Sequence, residues 1–427
     1  AEPDDAPLTL RPGDRRVVAL AVAPGRSPAD ALGVIAALRG PTGLIRGSVL
    51  GPGRRPVLTA TVDIPLGEKT VLAAYPGPGG EFEARLPPGD YELNARDLGR
   101  PTLKSKAAVV TGSVVEARFD MAQESRIAFE ISGPDGESLP CKAQIIGIAP
   151  TKDPDLGVTI RAHGCKNQYH SEVGWFSVAV PPGKYRVVVT RGIEFDHHQE
   201  EVEVREGREA RVDATLRRLV DSRGWVSTDF HSHSTPSGDN YCGTDDRIIN
   251  LAAEGIEFAP TTEHNRFYDW APHIRRLQLE DELSTAVGIE LTGPGPHLNA
   301  FPFRLSPGAQ DGGAPAWVRD PRINAIALRD LQGGHPDRWV QLNHPAVGEF
   351  FRDRNADGVP DGGFPDLERF IDSAEVWSAE VLNLKPIIST TDATTGKSRR
   401  IQNRTFAWMQ LLNQGRRMWC VAVSDAH

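Results

Sequence analysis

The chain has 427 residues, 39% of them apolar and 25% charged, a globular composition too long for one ordinary core, so two to four domains are expected. A formal net charge of -9 argues against a general binder of nucleic acid, which presents basic faces, and no apolar run reaches the length of a transmembrane helix. The 42 glycines and 34 prolines point to many turns, and so to substantial β structure.

The opening Ala1-Glu-Pro-Asp-Asp-Ala-Pro reads like a mature or trimmed N-terminus, from which an exported protein, periplasmic or extracellular, is expected. Residues 1–40 have no assignable fold. Within them, 16–23 reads as a strand, and 27–38 as a short helix with Ser27 as N-cap and Pro28 at its first position.

A repeat follows. Gly80-Glu-Phe82-Glu-Ala-Arg-Leu-Pro87-Pro88-Gly89-Asp-Tyr91 returns 94 residues later as Gly174-Trp-Phe176-Ser-Val-Ala-Val-Pro181-Pro182-Gly183-Lys-Tyr185. Strand, Pro-Pro-Gly turn and strand predict a hairpin in each copy, with glycine at positive φ. Two copies predict tandem β-sandwiches over 41–122 and 123–220. Their Pro-Gly-x-Tyr signature resembles the carboxypeptidase-regulatory-like sandwich. The second copy carries an insertion near 149–170, and a Cys141–Cys165 disulfide is expected to tether it.

From Asp221 strands alternate with helices. Strands are predicted at 225–230, 256–261, 285–290, 298–303, 339–342, 374–377 and 418–423. Helices are predicted at 245–253, 270–283, 322–331 and 399–414. About seven βα units suggest a barrel over 221–427, truncated at its C-terminus, with its site at the C-terminal strand ends. Alternation puts His231 and His233 of Asp229-Phe-His-Ser-His on one side of the first strand. Later strands end in Thr262-Glu263-His264-Asn265, in Gly288-Ile-Glu290 with His297 just beyond, in Asn343-His344-Pro345, and in Ser424-Asp425-Ala-His427. With only 12 histidines in the chain, this recurrence of imidazole and carboxylate at strand ends points to a metal centre. Glu263 faces away from His264 and is read as core or as support to the ligands. Cys242, His273 and His335 are read as structural or solvated.

The set, in this order, resembles the PHP (polymerase and histidinol phosphatase) superfamily of metallohydrolases over about 224–427. The preceding sandwich and Arg191-Gly-Ile-Glu-Phe195 are similar to its carbaryl-hydrolase-like branch. The resemblance implies a distorted (β/α)7 barrel with two or three divalent ions of zinc, manganese or iron. It implies His231, His233, Glu290 and His344 around one ion, Glu290 bridging to a second with His297, Asp239, His264 and His427 about a third, and Asp425 closing the cluster. Glu290, Asp425 and His427 are the implied catalytic residues. The implied activity is hydrolysis of an ester-type bond, whether phosphoester, carboxylic ester or carbamate, in a small molecule by metal-bound hydroxide. The family barrel runs on beyond its last motif, which here falls at His427.

Asp353-Arg-Asn355-Ala-Asp357-Gly-Val359-Pro-Asp361 fits an isolated calcium loop, without the glutamate that would complete an EF-hand. A different class of function is also open: an exported, non-catalytic binding or adhesion protein whose barrel ions are structural.

Overall fold

The computed structural model describes residues 12, 15, 22–25, 27–67, 71–345, 364, 366–376, 387–391, 398–413 and 415–427. The calcium loop of Asp353, Asn355, Asp357, Val359 and Asp361 lies outside the described residues, as does most of the strand read at 16–23. The chain divides into two compact units: Ala1–Arg126 with Ala179–Pro182 and Val204–Glu209, and the remainder.

The first unit is a β-sandwich carrying one helix. Helix α1 (Pro28–Arg39) starts where expected, with the Ser27 hydroxyl accepting from Asp30 N. Seven strands follow: β1 (Gly43–Leu50), β2 (Thr61–Pro65), β3 (Val71–Ala74), β4 (Glu81–Leu86), β5 (Gly89–Arg96), β6 (Leu103–Val109) and β7 (Val114–Asp120). They form sheets in the orders β4-β1-β7 and β3-β2-β5-β6. Alternation sends Ile45 and Val49 of β1 and Phe82, Ala84 and Leu86 of β4 into the core between the sheets, opposite Val62, Ile64, Leu72 and Leu93. Gly47 is needed for close approach, since a Cβ there would lie 2.4 Å from the Phe82 ring.

The second unit opens with another sandwich, made of β8 (Arg126–Ser132), β9 (Cys141–Gly147), β10 (Gln168–Ser171), β11 (Trp175–Ala179), β12 (Gly183–Thr190), β13 (His198–Val204) and β14 (Glu209–Thr215). Its sheets run β11-β8-β14 and β10-β9-β12-β13. In neither copy of the repeat is the Pro-Pro-Gly segment a hairpin. β4 and β5 lie in different sheets, as do β11 and β12, so each segment is a corner that carries the chain across the sandwich. Two consecutive prolines lack the N–H groups that would continue a ladder. Neither Gly89 nor Gly183 has positive φ; Gly183 instead makes room for Thr151, whose Cγ2 would lie 2.5 Å from an added Cβ.

The rest of the second unit is not the predicted (β/α)7 barrel. Among the described residues its main sheet has five short strands, in the order β15 (Ile289–Leu291), β16 (Leu298–Phe301), β17 (Trp339–Leu342), β18 (Ser373–Glu375) and β21 (Trp419–Val421). β15–β16 and β16–β17 pair antiparallel, and only β17–β18 and β18–β21 are parallel. The loop from β15 to β16 is too short for a crossover, which takes a dozen residues or more, so β16 must run back. A separate hairpin pairs β19 (Ile387–Thr391) with β20 (Ser398–Gln402). The predicted first two strands are reduced to isolated parallel bridges, Thr228 with Phe258 and Phe258 with Ser284. Trp225 and Val226, at the start of the predicted first strand, are 80% and 61% exposed. The helices are α2 (Thr244–Ala253), α3 (Ala271–Leu277), α4 (Pro321–Asp330) and α5 (Arg404–Asn413); α3 ends early because Gln278 turns left-handed. Among the described residues no helix is long and apolar enough to cross a membrane.

The sheet's two faces differ sharply. One presents Ile289, Leu291, Leu298, Ala300, Val340, Leu342 and Ala374 to a core shared with Ala325 and Leu328 of α4 and Leu411 of α5. The other carries Glu290, Asn299 and Gln341, aligned by the register across three strands, with Glu375 further along. All four are buried, and a buried row with two carboxylates needs positive or donating partners to be tolerated.

Candidate metal centre

The first and last motifs are joined by their backbones. His233 N donates to Ala426 O at 3.0 Å and Asp425 N to His231 O at 2.8 Å. A parallel bridge likewise sets His264 beside Glu290. Buried Asp229 fixes this junction by accepting from Ser424 N and Oγ at 3.1 and 2.5 Å. Three groups of convergent ligand atoms result, each within 4.8 Å: His231, His233 and Glu290; His233, His264 and His427; and Glu290, His297 and His344. Glu290 and His233 each belong to two groups, as bridging positions would. Asp425 Oδ1 lies 3.2 and 3.4 Å from the Nε2 atoms of His231 and His233, and Asp239 Oδ2 lies 3.2 Å from His264 Nε2.

The outer hydrogen bonds decide which nitrogen of each ring faces inward. His231 Nδ1 donates to Glu375 Oε1 at 2.6 Å. Ser237 Oγ gives its proton to Glu263 Oε2, so it accepts from His233 Nδ1, at 3.0 Å. His297 Nε2 donates to Gly293 O at 3.0 Å, which turns Nδ1 toward Glu290 Oε1 at 3.2 Å. His427 Nδ1 is held by Asp425 O at 3.2 Å, whereas His264 turns both nitrogens to the cluster, Nδ1 lying between Thr292 Oγ1 at 2.7 Å and Glu290 Oε2 at 2.6 Å and Nε2 facing Asp239. In the neutral rings of His231, His233 and His297 the inward nitrogens are thus lone-pair acceptors. Those of His231 and His233 face each other at 3.0 Å, and those of His264 and His427 at 3.5 Å, with the carboxylates of Glu290, Asp425 and Asp239 among them. Acceptors cannot hydrogen-bond to acceptors, so this set requires protons or cations between its members. Imidazoles fixed by outer carboxylates, hydroxyls and carbonyls are the usual support of metal-ligating histidines. The residues fit a cluster of divalent ions bound through nitrogen and oxygen.

Without ions, protons partly fill this role. Burial would raise the Glu290 carboxyl, but the surrounding imidazoles of His231, His264, His297 and His344 outweigh it and hold the group well below the usual carboxylate range. Its Oε2, 2.6 Å from His264 Nδ1, still has no well-aligned hydrogen bond. Burial pushes His233 down to about 4, so this ring stays neutral, the form that ligates a metal.

No family model matches this sequence. No curated protein matches it either. Among solved structures, it is weakly similar to the Bacillus anthracis TIE protein, at 15% identity and TM-score 0.20 over 47% of this chain and 37% of that one. It is similar to a streptococcal ancillary pilin at 14% identity and TM-score 0.23, over 42% of this chain and 62% of that one. A shaft pilin of Lactobacillus rhamnosus GG gives 11% identity and TM-score 0.25 over 42% of this chain and 98% of that one. The chain therefore spans well under two thirds of the first of these proteins and somewhat under two thirds of the second. Likenesses at such scores carry no argument about this site.

All nine residues expected as metal ligands, His231, His233, Asp239, His264, Glu290, His297, His344, Asp425 and His427, lie in or beside the cluster. The Cys141–Cys165 disulfide is absent: both thiols are free. Cys141 pairs with Ser171 across β9 and β10, whereas Cys165 turns back on Gln168. Cys242 is buried, and burial raises its thiol. His273 is not a free solvated ring; it joins Asp245 Oδ1 at 2.7 Å to the Tyr268 hydroxyl at 2.9 Å. Glu263 supports the ligands through Ser234 and Ser237. Sequence reasoning missed Glu375 and the supporting role of Asn343, whose Nδ2 donates to Glu290 Oε1 at 2.9 Å. Asn343 stood in the Asn343-His344-Pro345 motif itself, whereas Glu375, in the short strand Ser373-Ala-Glu, carried no comparable signal.

Proposed function

We propose that the protein is a metal-dependent hydrolase of the PHP type acting on an ester bond in a small molecule, with two or three divalent ions of zinc, manganese or iron. The observation that carries this reading is the buried convergence of bare imidazole nitrogens on carboxylate oxygens, with His231 and His233 Nε2 only 3.0 Å apart. A structural ion is usually closed off by four ligands, often cysteines. Here the histidine and carboxylate ligands are more numerous, none of them is cysteine, and one, Asp239, is exposed.

His231, His233, Glu290, His297 and His344 would hold the inner ions, and Asp239, His264 and His427 the outer one. Such ions, when bound, lower the pKa of water to near neutrality and polarise the scissile oxygen. Asp239, at 59% side-chain exposure, would mark the side from which substrate reaches the ions. Asp425 Oδ1, 3.2 Å from His231 Nε2, would accept the proton of the attacking water. Glu290 stays ionised in its buried position and balances the cationic cluster.

Exchange of Glu290→Gln tests the reading against a panel of phosphate, carboxylic and carbamate esters. Hydrolysis should fall at least 100-fold while the sandwich cores stay folded. Wild-type protein that binds ions yet turns over none of these esters would favour a non-catalytic binding role.

A further inference from the structure

We infer that Glu375 is a positioning residue of the metal centre, one carboxylate that sets the ring of His231 and the backbone of His344 together. The inference rests on the metal-centre reading above. Glu375 ends β18, on the polar face of the sheet, and is fully buried. Its Oε1 accepts from His231 Nδ1 at 2.6 Å and from Gln341 Nε2 at 2.9 Å, and its Oε2 accepts from His344 N at 2.5 Å. The two residues it holds meet again on the inner side: His231 Nε2 and His344 Nε2 each lie 3.4 Å from the same Glu290 oxygen, Oε1.

Two features separate this from ordinary packing. First, His344 has φ of 27°, a left-handed conformation that a side chain with a Cβ adopts at a cost and keeps only when its surroundings enforce it. The bond from its N–H to Glu375 is such a constraint. Second, both oxygens of Glu375 face N–H donors, three in all, so the carboxylate is engaged behind the ligands it holds. A glutamine of the same shape offers one acceptor oxygen and one amide nitrogen. It must therefore set an N–H against either His231 Nδ1–H or His344 N–H. The negative charge also makes the His231 ring a stronger donor to a cation.

The test is calorimetric titration of zinc into the ion-stripped full chain, as wild type and as Glu375→Gln, with nitrogen-15 spectra of the imidazoles in the zinc-loaded wild type. The proposal expects zinc affinity to fall roughly 10- to 100-fold in the variant. It also expects the His231 ring of the wild type to carry its proton on Nδ1. Unchanged affinity in the variant, with zinc still bound by wild type, overturns the positioning role and leaves the metal centre standing. Wild type that binds no zinc, manganese or iron overturns both. Should the variant fail to fold, the wild-type spectrum decides: zinc on His231 Nδ1 overturns the proposal.

Discussion

His231 Nε2 and His233 Nε2 face each other across 3.0 Å, and the opposite nitrogen of each ring is already engaged, by Glu375 and by Ser237. Two lone pairs held this close by residues behind them repel unless a cation or proton lies between. The fold maintains that arrangement at a fully buried site, where a bound ion or a proton shared between the rings would relieve it.

The sharing of ligands predicts unequal losses. His233 takes part in two ligand groups, whereas His297 takes part in one. His233→Ala should therefore lower the bound transition metal by more than one ion per chain, and His297→Ala by at most one. Elemental analysis of the reloaded variants checks this; equal losses would mean that the groups do not share His233.

Gly192 predicts a stability effect away from the site. Its φ is 61°, and an added Cβ would lie 2.0 Å from Glu254 O at the end of α2. Both the conformation and the space exclude a side chain, so Gly192→Ala should cost about 2–4 kcal/mol. Urea unfolding measures it. A loss under 0.5 kcal/mol, by the same measurement, would mean that the segment shifts without penalty.

His170 predicts a pH dependence. Burial, with the Lys142 cation adding to it, pushes this ring from 6.5 down to about 4, and its Nδ1 has no hydrogen-bond partner. The folded pKa is depressed, so the unfolded chain binds the proton first as pH falls. The stability linked to this ring is complete above pH 6.5 and declines as pH falls toward 4, by about 3 kcal/mol in all. Replacing His170→Asn should flatten the slope of unfolding free energy over that window. An unchanged slope would assign acid sensitivity to other groups.

The site was more legible in the sequence than the fold around it. His231 and His233 could be placed on one side because strand alternation is local, and this holds even where the segment bears only isolated bridges. The order of strands could not be read so directly. The residues at 285–290 and 298–303 look like any two buried strands, and only the short loop between them, rich in glycine and proline, shows that they run antiparallel. The Pro-Pro-Gly repeats misled for a related reason: a turn between strands in one sheet and a corner between two sheets use the same residues, and the partner strands are distant in sequence. Glu375 went unread because a lone glutamate in a short strand has no motif; its partners His231 and Gln341 come from segments distant in sequence.

Metal content of the full chain tests the account most directly. The purified protein, stripped and then reloaded with zinc or manganese, should hold two or more transition-metal ions per chain, and Glu290→Gln should lower that number. Fewer than one ion per chain after reloading, in protein whose sandwiches are folded, would contradict the metal centre and with it the proposed hydrolase.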